Sequence, residues 1–195
     1  MTPSKKYVMA TVVAGAAILF GLFFLMGDKD RTTRQEHPQQ YKKMNVVQFY
    51  LHMPGNDYII GRKDSSFSEV MDAAGTAVLS INKSLKDVGT LPEKDLGESA
   101  GTGESIQDIK SGVVSLSIWL LEPQNISTKI TAPDGLEKDS YGNGVITTDR
   151  LLLVLGGRHR GTIFVRNPET GLWSAWGTEG NGFTKLADLI RTGGI

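Results

Sequence analysis

Twenty consecutive residues without a charge, Tyr7–Met26, stand almost at the start of this 195-residue chain. A helix of that length rises about 30 Å, which matches the hydrocarbon thickness of a bilayer. Lys5 and Lys6 precede the run, and Asp28, Lys29, Asp30 and Arg31 follow it directly. A charge at the bilayer centre costs at least about 2.5 kcal/mol, so these residues set sharp ends to a membrane span. A cleavable signal would have an apolar core of roughly 7–15 residues ending at a small-x-small site. This run is longer and ends in Phe23-Phe24-Leu25-Met26, so a retained anchor is expected over residues 7–27. The tail 1–6 is expected in the cytoplasm and the remainder outside it. The basic residues beyond the span argue the other way by simple count, but long domains translocate largely regardless of charge.

Ala10, Ala14, Ala17 and Gly21 recur at spacings of four, three and four. On a helix they form one small-residue stripe, the kind of surface on which membrane helices pack closely. Lipid is thus one expected partner. A second copy of the chain, or another membrane subunit, is the other.

Residues 28–44 are polar and lack apolar periodicity, which reads as a stalk. The domain expected over 45–195 opens with a Val- and aromatic-rich strand, Asn45–His52. The turn Pro54-Gly55-Asn56-Asp57 and a return at Tyr58–Ile60 predict a hairpin. Ser66 and Glu69 have capping-box spacing. Val70, Ala74, Ala77, Val78, Ile81, Leu85 and Val88 then recur every three or four residues, predicting one long amphipathic helix that stops at Gly89. A short helix is expected at 104–110 and a buried strand at 113–121. Residues 125–141 read as irregular. Strands at 151–155, 162–166 and 172–176, with short connections, predict an antiparallel meander, and Thr184 is expected to cap a last short helix. About six strands, grouped rather than alternating with helices, predict an α+β fold with a mainly antiparallel sheet.

The chemistry is sparse. The chain has no cysteine, which excludes disulfides, thiol catalysis and cysteine-ligated metal. Its net charge is zero, so no direct nucleic-acid binding is expected. His37, His52 and His159 form no ligand pair at helical spacing, so no metal site is expected, and His52 and His159 read as surface or satisfied side chains. Gly101-Thr102-Gly103 lacks the Gly-Lys-Ser/Thr ending of a phosphate loop, and Gly142-Asn143-Gly144 lacks the rest of a dinucleotide fingerprint, so no cofactor is expected. No Gly-x-Ser-x-Gly elbow occurs, and Glu93, Asp95 and Glu98 read as a solvated acidic loop. The chain is therefore expected not to be an enzyme.

Two features are candidates for contact with a partner. Arg158-His159-Arg160 makes a basic tip between two strands, where Arg158 and Arg160 could grip phosphate or an acidic surface. Trp173 and Trp176 lie three apart on one strand, so they face opposite sides, with one in the core and one exposed.

The layout of Lys5-Lys6, one span at Tyr7–Met26, a polar stalk and about 150 residues beyond it without a catalytic signature resembles accessory inner-membrane proteins of bacterial secretion and conjugation machines. In length and N-terminal arrangement it is similar to the TraP family of F-type conjugative transfer proteins. The resemblance implies an inner-membrane protein with a periplasmic domain, serving plasmid conjugation or type IV secretion. It would stabilise a transfer complex through other membrane-bound subunits, and homo-oligomers are compatible with it. A membrane-tethered ligand-binding or sensory module is the alternative, and an enzyme with a dispersed active site is the third reading.

Overall fold

The computed structural model describes residues 44–94, 104–131, 143–178 and 182–193. The expected span, its stripe Ala10, Ala14, Ala17 and Gly21, most of the stalk, His37 and Gly101–Gly103 lie outside the described residues. Among the described residues no helix is long and apolar enough to cross a membrane.

The chain alternates little between helix and strand. β1 (Val46–Met53) turns through Pro54-Gly55 into β2 (Asn56–Gly61), as the turn residues predict. α1 (Phe67–Leu79) leads into β3 (Ile81–Ser84), a single 3-10 turn at Lys86–Val88 and the two-residue β4 (Thr90–Leu91). α2 (Ile106–Gly112) precedes the long strands β5 (Ser115–Thr131) and β6 (Asn143–Val154). β7 (Thr162–Arg166), β8 (Trp173–Thr178) and α3 (Thr184–Arg191) complete the chain.

The eight strands form one sheet in the order β2-β1-β5-β6-β7-β8-β3, and β4 also pairs with β8. Every pairing is antiparallel. The fold is α+β with a mainly antiparallel sheet, as the grouped strands predict.

Strand alternation divides the core in two. Phe49, Leu51, Leu116, Ile118, Leu151, Leu153, Ile163, Val165 and Trp176 face one side, against α1 and Leu186 of α3. α1 contributes Val70, Ala73, Ala74, Ala77 and Val78, small side chains that let its backbone lie close to the sheet. Leu152, Val154, Phe164, Trp173 and Ala175 face the other side, where Leu91 and the α2 residues Ile106 and Ile109 cover them. Met44 is buried in the first cluster, one residue inside the expected stalk.

Several local expectations need correction. The long apolar stripe does not make one helix, because α1 stops at Leu79 and Ile81 begins a strand. The reason is tertiary. Ile81 belongs to the first cluster while Leu85 and Val88 pack against the second, and no single helix face could reach both sides of a sheet. The Leu85 N–H instead donates to Ala175 O, extending the contact with β8. Ser66 does not form a capping box with Glu69. It sits at φ −77°, ψ −12°, inside a turn, and its side chain makes no cap hydrogen bond. Side-chain capping favours the extended backbone that Ser105 has, and there the box is complete: Ser105 Oγ accepts from Asp108 N–H and Asp108 Oδ2 accepts from Ser105 N–H. Phe183 rather than Thr184 occupies the N-cap of α3.

The stretch from Asn125 is strand as far as Thr131, because buried Ile126 pairs with Ile146 and the hydroxyl of buried Thr128 donates to Gly144 O of β6. The pairing of β5 with β6 shifts register between Trp119 and Gln124 and again between Ser127 and Thr131, and Pro123 falls in the first shift, where its missing N–H breaks no ladder bond. Gly182 matters at the junction of α1 and α3. A Cβ there would come within 2.1 Å of Ser80 Oγ.

Candidate functional site

The second face of the sheet is only partly covered by α2, and the polar and aromatic side chains gather on the remainder. At the end of β1, His52 lies opposite Asp57 of β2 in the ladder. Its Nδ1 is 2.9 Å from Asp57 Oδ1, and its Nε2 is 2.8 Å from Ser117 Oγ on β5. A carboxylate can only accept, so Nδ1 carries the proton and Nε2 accepts from the serine hydroxyl. Burial lowers the His52 pKa below the ordinary value, and the Asp57 hydrogen bond and charge offset that only in part. The neutral tautomer that this arrangement requires is therefore the stable one.

Ser117, His52 and Asp57 thus repeat the hydrogen-bond order of a serine hydrolase triad, which the spacing of these residues in the chain could not reveal. Their exposures are inverted. The Ser117 hydroxyl group belongs to a residue 2% exposed, while the Asp57 side chain is 63% exposed. A cleft of about 230 Å³ opens beside the hairpin turn, lined by His52, Asn56, Asp57, Gln107, Lys110 and Ser111. Ser117 is not among its walls. A nucleophile must reach its substrate, and this one is sealed behind the imidazole. The relay ties the β1–β2 hairpin to β5, and His52 is a satisfied histidine. The cleft also falls below the roughly 300 Å³ at which small-molecule pockets begin.

From His52 a strip of rings runs across the strands. Tyr50 stacks in parallel with His52, with centroids 6.3 Å apart, and tilts against Trp119 at 5.0 Å. Gln48 donates to the Tyr50 hydroxyl. Arg150 lies over the Trp119 ring, its guanidinium carbon 4.2 Å from the centroid. Beside the strip, Glu93 uses both carboxylate oxygens: Oε1 accepts from Lys110 Nζ at 2.7 Å and Oε2 from Trp173 Nε1 at 2.8 Å. Burial raises the Glu93 pKa, but the Lys110 and Trp173 hydrogen bonds and the Lys110 and Arg150 charges together hold it below the ordinary carboxylate value. Glu93 is therefore not part of a solvated acidic loop. Asp95 and Glu98 lie outside the described residues.

The two contact candidates fare differently. Trp173 is 1% exposed and Trp176 is 7% exposed, so neither offers a surface. They do face opposite sides, but both sides of β8 are covered, Trp173 by the α2 layer and Trp176 by the α1 layer. In the basic tip, Arg158 and His159 Nε2 both meet Glu104 Oε2, the latter at 3.0 Å. Burial raises the Glu104 pKa and these two partners more than reverse it. His159 also sets its ring edge-on to Phe164. Arg160 is exposed and makes no ion pair among the described residues. The residue that sequence reasoning missed is Trp119, with Arg150 upon it. Comparison with protein families, curated proteins and solved structures finds no match to this chain.

Proposed function

We propose that this chain is a membrane-tethered, non-catalytic docking subunit of an envelope-spanning assembly, and that the apolar run at 7–26 holds it in the inner membrane with its domain in the periplasm. Conjugative DNA transfer is the process its layout suggests. The observation that supports docking is the contrast between the two outer strands of the sheet. β3 is guarded by a register shift after Ile81 and by Lys83. β2 carries neither lysine nor proline, and its register with β1 runs without a bulge. Tyr58 and Ile59 stand 51% and 63% exposed on it. Long, regular, apolar edge strands invite another strand, and natural sequences usually block them. At the end of β2 a local turn already uses Gly61, whose N–H donates to Asp64 Oδ2 at 2.6 Å and whose C=O accepts from Asp64 N–H at 3.0 Å. Recruitment through a sheet edge is a common mode of protein docking.

The test uses the full chain expressed in its own membranes. Wild type is expected to resist carbonate extraction and to migrate in mild detergent as a large, defined complex. Ile59→Lys is expected to keep the membrane association and the melting temperature while migrating as a small species. Equal sizes for the two would refute docking at this edge, and release by carbonate would refute the anchor.

A further inference from the structure

The ring strip carries a cation with an unused hydrogen-bonding edge. We propose that Tyr50, Trp119 and Arg150 bind an acidic side chain in an extended segment of a partner protein, with the carboxylate on Arg150 and the neighbouring apolar side chains on the two rings. This site is separate from the β2 edge.

The argument begins with Arg150. Its guanidinium lies over the face of Trp119 and its charge acts on Glu93, but it makes no hydrogen bond or ion pair among the described residues. A guanidinium held over an aromatic face keeps its planar fork of N–H donors, the group that takes a carboxylate in two parallel hydrogen bonds. No nearby acid among the described residues pairs with it: Glu122, in the bulge of β5, is exposed and makes no ion pair. Both oxygens of Glu93 are engaged by Lys110 and Trp173. Asp149 holds Arg166 through Oδ2 at 2.8 Å, and its Oδ1 is buried. The N–H donors of Arg150 are thus open to a carboxylate from outside the described residues.

The surroundings select a peptide rather than a bare anion. Trp119 and Tyr50 are half-buried, so each leaves part of a ring open. Leu121 lies two residues along β5, on the Trp119 side by strand alternation, and is 66% exposed. An acid flanked by apolar side chains would cover all of these groups, whereas phosphate or acetate would use only Arg150. Arg150, Trp119 and Tyr50 sit on three adjacent strands, about 10 Å across at about 4.8 Å per strand. Three or four residues of extended chain span that distance at about 3.3 Å each.

The probe is an acetylated and amidated pentapeptide, Val-Thr-Val-Thr-Glu, with analogues ending in Gln or Lys, titrated into the detergent-solubilised full chain. The readout is tryptophan emission, since of the three tryptophans only Trp119 is partly open while Trp173 and Trp176 are buried. The expected result is a saturable shift with the Glu peptide, at least tenfold weaker binding of the Gln peptide and none of the Lys peptide. Arg150→Gln should abolish the shift, Arg150→Lys should retain part of it, and both should melt as wild type does. The proposal is overturned if no peptide binds, or if the Glu and Gln peptides bind alike. It is also overturned if Arg150→Gln binds normally, or if acetate, inorganic phosphate or anionic-lipid vesicles give the same shift at the same anion concentration. None of these outcomes depends on Tyr58 or Ile59, so failure here leaves docking at β2 standing.

Discussion

Replacing Trp173 with Phe removes one N–H donor and part of a ring from the second core cluster. The indole is 1% exposed, and its Nε1–H reaches Glu93 Oε2 at 2.8 Å. A hydrogen bond to a charged acceptor contributes about 1.5–3 kcal/mol. The lost ring volume adds about 1 kcal/mol, a fraction of the 3–5 kcal/mol typical of full truncation to Ala. The substitution should therefore cost about 2.5–4 kcal/mol, and for a domain of this size a melting temperature falls about 2–4 °C per kcal/mol. Thermal and urea unfolding followed by circular dichroism measure the loss. A double-mutant cycle with Glu93→Ala isolates the pair, and the coupling should be about 1.5–3 kcal/mol. Lys110, which also holds Glu93, stays in place in all four proteins, so its contribution cancels to first order. A coupling below about 0.5 kcal/mol would show that the carboxylate and indole are independent, and the account of Glu93 as an internal brace would fall.

Acid titration should expose His52. Its folded pKa lies below the unfolded value of about 6.5, so between the two the unfolded chain binds the extra proton. Stability is full above the unfolded value and declines as pH falls through it, levelling below the folded pKa. Denaturant midpoints should drop from pH 7 toward pH 5, and His52→Gln should flatten that slope. Glu93 and Glu104, both lowered, act in a different window, since their stabilisation is present above the ordinary value of 4.5 and fades as pH falls below it toward their folded pKa values. Gly182→Ala should lower stability by about 1–3 kcal/mol, because the new methyl group meets Ser80, and pairing it with Ser80→Gly should recover most of the loss in the same melts. Ser105→Ala removes the cap of α2 and should cost about 1 kcal/mol, read as a shift in urea midpoint.

What the sequence makes legible is the part governed by short-range chemistry. The hairpin follows from Pro54-Gly55 between apolar runs, and the turn at 167–171 follows from Asn167, Pro168 and Gly171. β7 follows from an unbroken β-branched and aromatic run. Where competing patterns share residues, sequence reasoning fails for a definite reason. Ile81, Leu85 and Val88 continue a helical period, yet they are divided between two sides of a sheet, and only the position of β8 decides that. Ile126 and Thr128 alternate as a strand should, but polar neighbours and Pro123 hide the alternation. The candidate site is harder still. Tyr50, Trp119 and Arg150 come from three strands, and nothing at their separation in the chain links them. Opposite facing predicts one open side for Trp173 and Trp176, but both sides of β8 carry a helical layer.

The order of strands also constrains when this domain can form on the ribosome. Ile81 and Leu91 are made early, but among the described residues their strands pair only with β8, whose first residue is Trp173. β1 pairs at once with β2, but its other edge waits for β5. Such distant pairings carry a heavy loop-closure penalty and fold slowly. A nascent chain halted before residue 173 would hold α1 beside an unfinished sheet, with sticky strand borders on display. Completion of the penultimate element, rather than gradual accretion, is the event that commits this polypeptide to its native state.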